Sequence, residues 1–195
     1  MYAWVTPVNG VPQGDYAPSR VMITPKRKQM VTSGFVYRIN PRLRIESEFA
    51  YSSNDVNTFS TKDAQNDQSG ANRTRIIGTM PLSRDSLQSW KLETKAEIET
   101  LDRNFSPIEQ YRAVEFDRDW NTRNKLYEGN QVATSIGGNI KHRTYGNINV
   151  EGQQYLIGSD FFGLRAATDG KWSQKGFHAK WDGSYLSSSS TTKNE

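Results

Sequence analysis

The stretch Trp90-Lys-Leu-Glu-Thr-Lys-Ala-Glu-Ile-Glu-Thr100 decides the fold class. Trp90, Leu92, Thr94, Ala96, Ile98 and Thr100 fall on one side of a period of two, with Lys91, Glu93, Lys95, Glu97 and Glu99 on the other. Lysine, glutamate and alanine are good helix formers, so propensity alone allows a helix. Unbroken alternation outweighs it and predicts a strand with one apolar and one charged face.

The same period recurs on both sides of this strand. Upstream, Val31, Ser33, Phe35, Tyr37 and Ile39 share a face, and Thr32, Gly34, Val36 and Arg38 share the other. Residues 40–42 turn the chain, and the return puts Leu43, Ile45, Ser47, Phe49 and Tyr51 opposite in sense to Arg44, Glu46, Glu48 and Ala50. Residues 72–80 form a hairpin with 89–101 through a turn at 81–88. Downstream, 131–142 pairs with 147–157 across 143–146, and 163–172 pairs with 176–187 across 173–176. The connections at 52–70 and 102–130 are long. Short turns at one end and long loops at the other predict an all-β, antiparallel up-and-down meander of about 8 to 10 strands, a β-barrel or part of a larger barrel. Residues 1–28, punctuated by Pro7, Gly10, Pro12, Gly14 and Pro18, read as an irregular N-terminal arm with a short strand at 21–23. Residues 29–187 form the hairpin domain, and 188–195 a polar tail rich in Ser and Thr.

Composition narrows the function classes. Of 195 residues, 34% are hydrophobic and 11% aromatic, too little for a thick two-sided interior, so the apolar side chains serve one face. Twenty-five basic and 21 acidic residues give a net charge of +4, but the signs alternate and form no stripe, which argues against nucleic acid as a partner. Zero cysteines excludes disulfides and thiolate metal sites, and no apolar run reaches the length of a transmembrane helix. Residues 1–10 lack the basic and apolar regions of a secretory signal, and the chain stops directly after a strand-like run. Together these favour a piece of a longer protein.

One further pattern bears on origin. Tyr2-x-Trp4, Asn9-Gly10, Gly14-Asp15-Tyr16, Ser53-x-Asp55-x-Asn57-Thr-Phe-Ser60, Gly70-Ala71, Pro107-x-Glu109 and Val114-Glu-Phe-x-Arg-Asp-Trp-Asn121 stand in that order. The arrangement covers most of residues 1–121 and resembles the large uncharacterised β-hairpin-rich envelope proteins of Bacteroidota. The resemblance implies an outer-membrane or cell-surface location in a Gram-negative envelope, a fragment of a larger chain, and no catalytic residues.

Residues 102–121 are the densest in acids and aromatics. Glu109, Tyr111, Arg112, Glu115, Asp117, Arg118, Asp119 and Trp120 are the candidate ligand-binding residues, since an aromatic face stacks on a sugar ring while carboxylates bind its hydroxyls. Arg112 and Arg118 interleave with these acids, so the loop can also satisfy its own charges and fold over a barrel mouth. A carboxylate pair such as Glu109 and Asp117 would suit a glycosidase only at a separation that sequence does not give. His142 and His178 lie apart in no metal or triad spacing, Gly137-Gly138 lacks the lysine and helix of a phosphate loop, and Asp55, Asp63 and Asp67 match no calcium loop. Lys26-Arg27-Lys28 reads as a solvated turn or a contact for lipid headgroups or a polyanion. Trp172 and Trp181, with Tyr155, Phe161, Phe162, Phe177 and Tyr185, gather toward strand ends, as an interfacial girdle or as core. The expectation is a non-enzymatic segment of an outer-membrane or cell-surface β-barrel, without cofactor. Lipid would be its main partner, and the long loops would face a glycan or protein. The alternative is a soluble carbohydrate-binding module using Trp120 and the acids near it.

Overall fold

The computed structural model describes residues 5–11, 13, 23–62, 64–83 and 90–191. The alternating runs become eight antiparallel strands: β1 (Arg27–Asn40), β2 (Leu43–Asp55), β3 (Gln68–Pro81), β4 (Trp90–Leu101), β5 (Gln131–His142), β6 (Gly146–Ile157), β7 (Phe161–Gln174) and β8 (Phe177–Ser190). Each strand pairs with its neighbours in sequence, giving one sheet in the order β1 to β8. This is the up-and-down meander that the alternation predicts. Arg27, Lys28 and Ser188 to Ser190 lie within strands, so the sheet reaches beyond residues 29–187 at both ends. Residues 21 and 22 of the expected short strand and residues 84–89 of the β3–β4 turn lie outside the described residues.

The sheet is open. β1 pairs only with β2 and β8 only with β7, so these eight strands do not make a closed barrel by themselves. Closure depends on strand number, tilt and stagger acting together, none of which is encoded in alternation along a strand.

Turn chemistry fixes the register at the short-turn end. Asn40 Oδ1 accepts from the backbone N–H of Arg42 at 2.8 Å, which closes the β1–β2 turn. Lys175 and Gly176, at φ 44° and 84°, make the two-residue turn between β7 and β8, whose positive φ values match the twist of the strands it joins. At the other end the connections run over 56–67 and 102–130, with a three-residue turn at 158–160.

Residues directly opposite in an antiparallel pair share a face, so the register sorts the whole sheet. Lys28, Arg38, Arg44, Glu46, Glu48, Arg73 and Arg75 of β1 to β3 lie on one face. Lys91, Glu93, Lys95, Glu97, Glu99 and Lys141 continue it across β4 and β5. Glu151, Arg165, Asp169, Lys171, Lys180 and Asp182 complete it on β6 to β8. The opposite face carries no charged residue except Arg27 and Asp55, which pair with each other at the strand ends.

The two faces are covered very differently. The chain exposes 15215 Å², against about 9,400 Å² for a compact soluble chain of its mass. Among the described residues only Leu101, Trp120, Tyr155, Ile157 and Phe161 are buried apolar side chains. Trp120, Tyr155, Ile157 and Phe161 form one cluster with Phe116, Tyr127, Ala133 and Leu186 at the long-loop end of the charged face. On the apolar face Val31, Ile136, Val150 and Tyr185 stand 68%, 69%, 58% and 73% exposed, with no second layer of the described residues over them.

Candidate functional site

Residues 102–130 leave β4 and fold back over the end of the charged face. Asp102 starts the return: its Oδ2 accepts from the Gly70 N–H at 2.9 Å, and its own N–H donates to the Gly70 carbonyl at 3.0 Å. Further along, the Ser106 N–H donates to Ser52 Oγ and the Arg103 N–H to Asn130 Oδ1. A single helical turn, α1 (Phe116–Asp119), then sets Phe116 and Trp120 down onto the sheet. The turn is short because Asn121, at φ 54°, turns the backbone out of helical geometry directly after its C-cap Trp120.

Arg112 is the pin of this arrangement. Its Nη2 and Nε donate to Glu99 Oε1 at 2.6 and 3.0 Å, and its Nη1 donates to Gln131 Oε1 at 2.7 Å and to the Tyr155 hydroxyl at 3.2 Å. The Tyr155 O–H in turn donates to Gln131 Oε1 at 2.8 Å. The guanidinium also lies 4.4 Å from the centre of the Phe116 ring, a cation–π contact. Burial works to lower its pKa, but Tyr155, Tyr111 and Glu99 more than offset that, so the charge is held firmly. Burial also pushes the Tyr111 hydroxyl up, against Arg112 and with Glu99.

Trp120 lies at 4% exposure, 5.3 Å from the Tyr155 ring and 6.3 Å from Phe116. Gly163 on β7 makes its place, since a Cβ there would come within 3.0 Å of the indole. The indole is therefore a core residue that anchors the loop, with no free face for a sugar to stack on. Asp119 carries the second link to the sheet, through Arg165 at 3.2 Å, while Arg165 Nη1 donates to Gln153 Oε1 at 3.1 Å.

The remaining predicted residues divide by position. Arg118 pairs with Glu115 at 2.8 Å and with Asp119 at 3.1 Å, all within the loop. Asp117 accepts from Thr122 Oγ1. Glu115, Asp117 and Arg118 are exposed, Tyr111 is half-exposed between two cavities, and Glu109 lines the groove that Tyr111 shares. That groove, about 580 Å³, runs between the loop and β1 to β4 and is lined by Met30, Phe49, Leu101, Phe105, Pro107 and Ile108 among others. A second cavity of about 350 Å³ lies beneath Arg112 and Asp119, between them and Arg73, Glu97, Glu151 and Gln153. Its cations and carboxylates largely answer one another. Glu97, for example, takes Arg73, Arg75 and Lys95 at 2.7 to 2.9 Å. Among the described residues no three His, Asp or Glu side chains converge as metal ligands.

Glu99, Gln131, Tyr155 and Arg165 are the members that the loop sequence could not reveal. Their signal is positional, because each lies on the charged face within a few residues of a long-loop strand end. The aromatic residues near strand ends split between faces. Tyr155 and Phe161 fill the core under the loop, whereas Phe162, Trp172, Phe177, Trp181 and Tyr185 stand on the apolar face. At the short-turn end Trp90, His142, Tyr145 and Trp172 cluster, with His142 stacked on Tyr145 at 4.4 Å and Trp90 on Trp172 at 6.0 Å. His142 is buried there, its Nδ1 accepting from the backbone of Thr144 and Tyr145. No family model, curated protein or solved structure matches the chain.

Proposed function

We propose that this chain is a non-enzymatic part of the wall of a β-barrel in the outer membrane or cell surface of a Gram-negative envelope. In this reading the uncharged apolar face meets lipid and the charged face lines a wet lumen. The observation that carries it is the sorting of charge. Across eight strands, every Asp, Glu, Lys and Arg except the terminal Arg27–Asp55 pair lies on one face. A soluble sheet gains by placing charges on any face that meets water, whereas lipid penalises them, by about 2–4 kcal/mol for Arg or Lys at the midplane. Strands of 12 to 14 residues exceed the 9–11 that a tilted strand needs to cross a bilayer. Lipid contact also supplies the cover that the bare apolar face lacks, and the stacked Trp90, Tyr145 and Trp172 fit an interfacial girdle.

Among the described residues both edges of the sheet are unpaired, so the wall would be completed by further strands. The loop 102–130 would act as an ordered inward plug at one mouth, with Glu109, Tyr111, Glu115, Asp117 and Arg118 offered to a glycan or protein partner. Extraction tests the reading: the chain is expected in the membrane fraction and soluble only with detergent. A monodisperse, water-soluble chain with its apolar face bare would end it.

A further inference from the structure

We propose that the short-turn end holds a binding site for a phosphate-bearing anion, in the cleft between the β5–β6 and β7–β8 turns. The cleft measures about 400 Å³ and is lined by Arg143, Thr144, Tyr145, Lys171, Ser173, His178 and Lys180 with no acidic side chain. Lys171 and Lys180 stand directly opposite each other across β7 and β8. Like charges in that position repel, and an anion seated between them would relieve the repulsion.

The charges in the cleft are unanswered from within. None of the ion pairs among the described residues involves Arg143, Lys171 or Lys180. The nearest acids in register, Asp169 and Asp182, face each other two residues farther from the turn, and Asp169 accepts from Asn149. Lys141, on the same face, contrasts with them because Glu93 neutralises it. Hydroxyl and imidazole donors complete the set. Ser173 Oγ and His178 Nδ1 share a 2.8 Å hydrogen bond, and His178 Nε2 has no partner among the described residues. A phosphate group, with two or more negative charges and several acceptor oxygens, matches three cations and flanking hydroxyl and ring N–H donors.

The proposal rests on this cleft and not on membrane insertion, so the two can fail separately. The source of the phosphate is either a free anion or a lipid headgroup at the interface. The full chain in non-ionic detergent would be titrated with pyrophosphate by calorimetry, and would be floated with phosphatidylglycerol or phosphatidylcholine vesicles. Binding to pyrophosphate alone assigns a free anion, and preference for phosphatidylglycerol alone assigns the headgroup. In either case K171Q/K180Q is expected to weaken binding about tenfold or more, with K28Q, at the far edge of the sheet, unchanged. R143Q, a turn substitution away from strand pairing, gives a smaller loss and guards against misfolding of the double variant. Binding by neither probe, or equal binding by the parent and by R143Q and K171Q/K180Q, would overturn the site.

Discussion

The two faces of the sheet are built by the same strands, one residue apart, and end in opposite conditions. At the long-loop end the charged face is covered by residues 102–130, with Trp120, Tyr155 and Phe161 buried among them. The apolar face, which would ordinarily seek cover, is left bare from Val31 to Tyr185. In a soluble domain the arrangement would be reversed, because apolar burial is the main driving force and charge is cheapest in water. Among the described residues no second layer covers the apolar face, and the proposed lipid contact is what would complete it.

That contrast can be broken from the covered side first. Trp120→Ala removes the anchor of the loop and should cost about 3–5 kcal/mol of local stability, read as faster proteolysis within 102–130 while the strands keep their β-sheet circular dichroism. Arg112→Ala leaves Glu99 without its partner at the base of the loop and should cost about 3 kcal/mol, with Arg112→Lys restoring only part because it cannot fork to Glu99 and Gln131 together. From the bare side, Ile136→Arg should cost about 2 kcal/mol or more of folding into lipid vesicles, whereas Ser135→Arg, one residue away on the charged face, should cost little. Lys95→Gln should be the mildest, under about 1 kcal/mol by denaturant titration, since Lys95 is half-exposed and Glu97 keeps Arg73 and Arg75.

Much of the sheet was readable in advance, because period-two alternation is a local property. Lys91 to Glu99 on one side and Trp90 to Ile98 on the other already define β4 and its faces, and Asn40-Pro-Arg42 marks the β1–β2 turn by side-chain chemistry. Closure was not readable: whether β1 meets β8 is settled by tilt and stagger across the whole sheet, and the edges are in fact apart. The loop misled in one respect. Trp120 stands among acids in the sequence and reads as an exposed platform, but Phe116 and Trp120, four apart on a single helical turn, present one apolar side to Tyr155. Its arginines also divide in a way that spacing cannot show. Arg118 answers acids of its own loop, while Arg112 reaches across 13 residues to Glu99. Gly163, whose missing side chain admits the indole, looks in sequence like any glycine in a strand.

The claim that lipid covers the apolar face is tested most directly along β6, where residues alternate between the two conditions. The chain has no cysteine, so single substitutions from Asn147→Cys to Leu156→Cys can each carry one fluorophore in the membrane-reconstituted protein. Labels at Ile148, Val150, Gly152, Gln154 and Leu156 should be quenched by brominated lipid and shielded from iodide. Labels at Asn147, Asn149, Glu151 and Gln153 should show the reverse. Equal access of iodide to both sets would contradict the account.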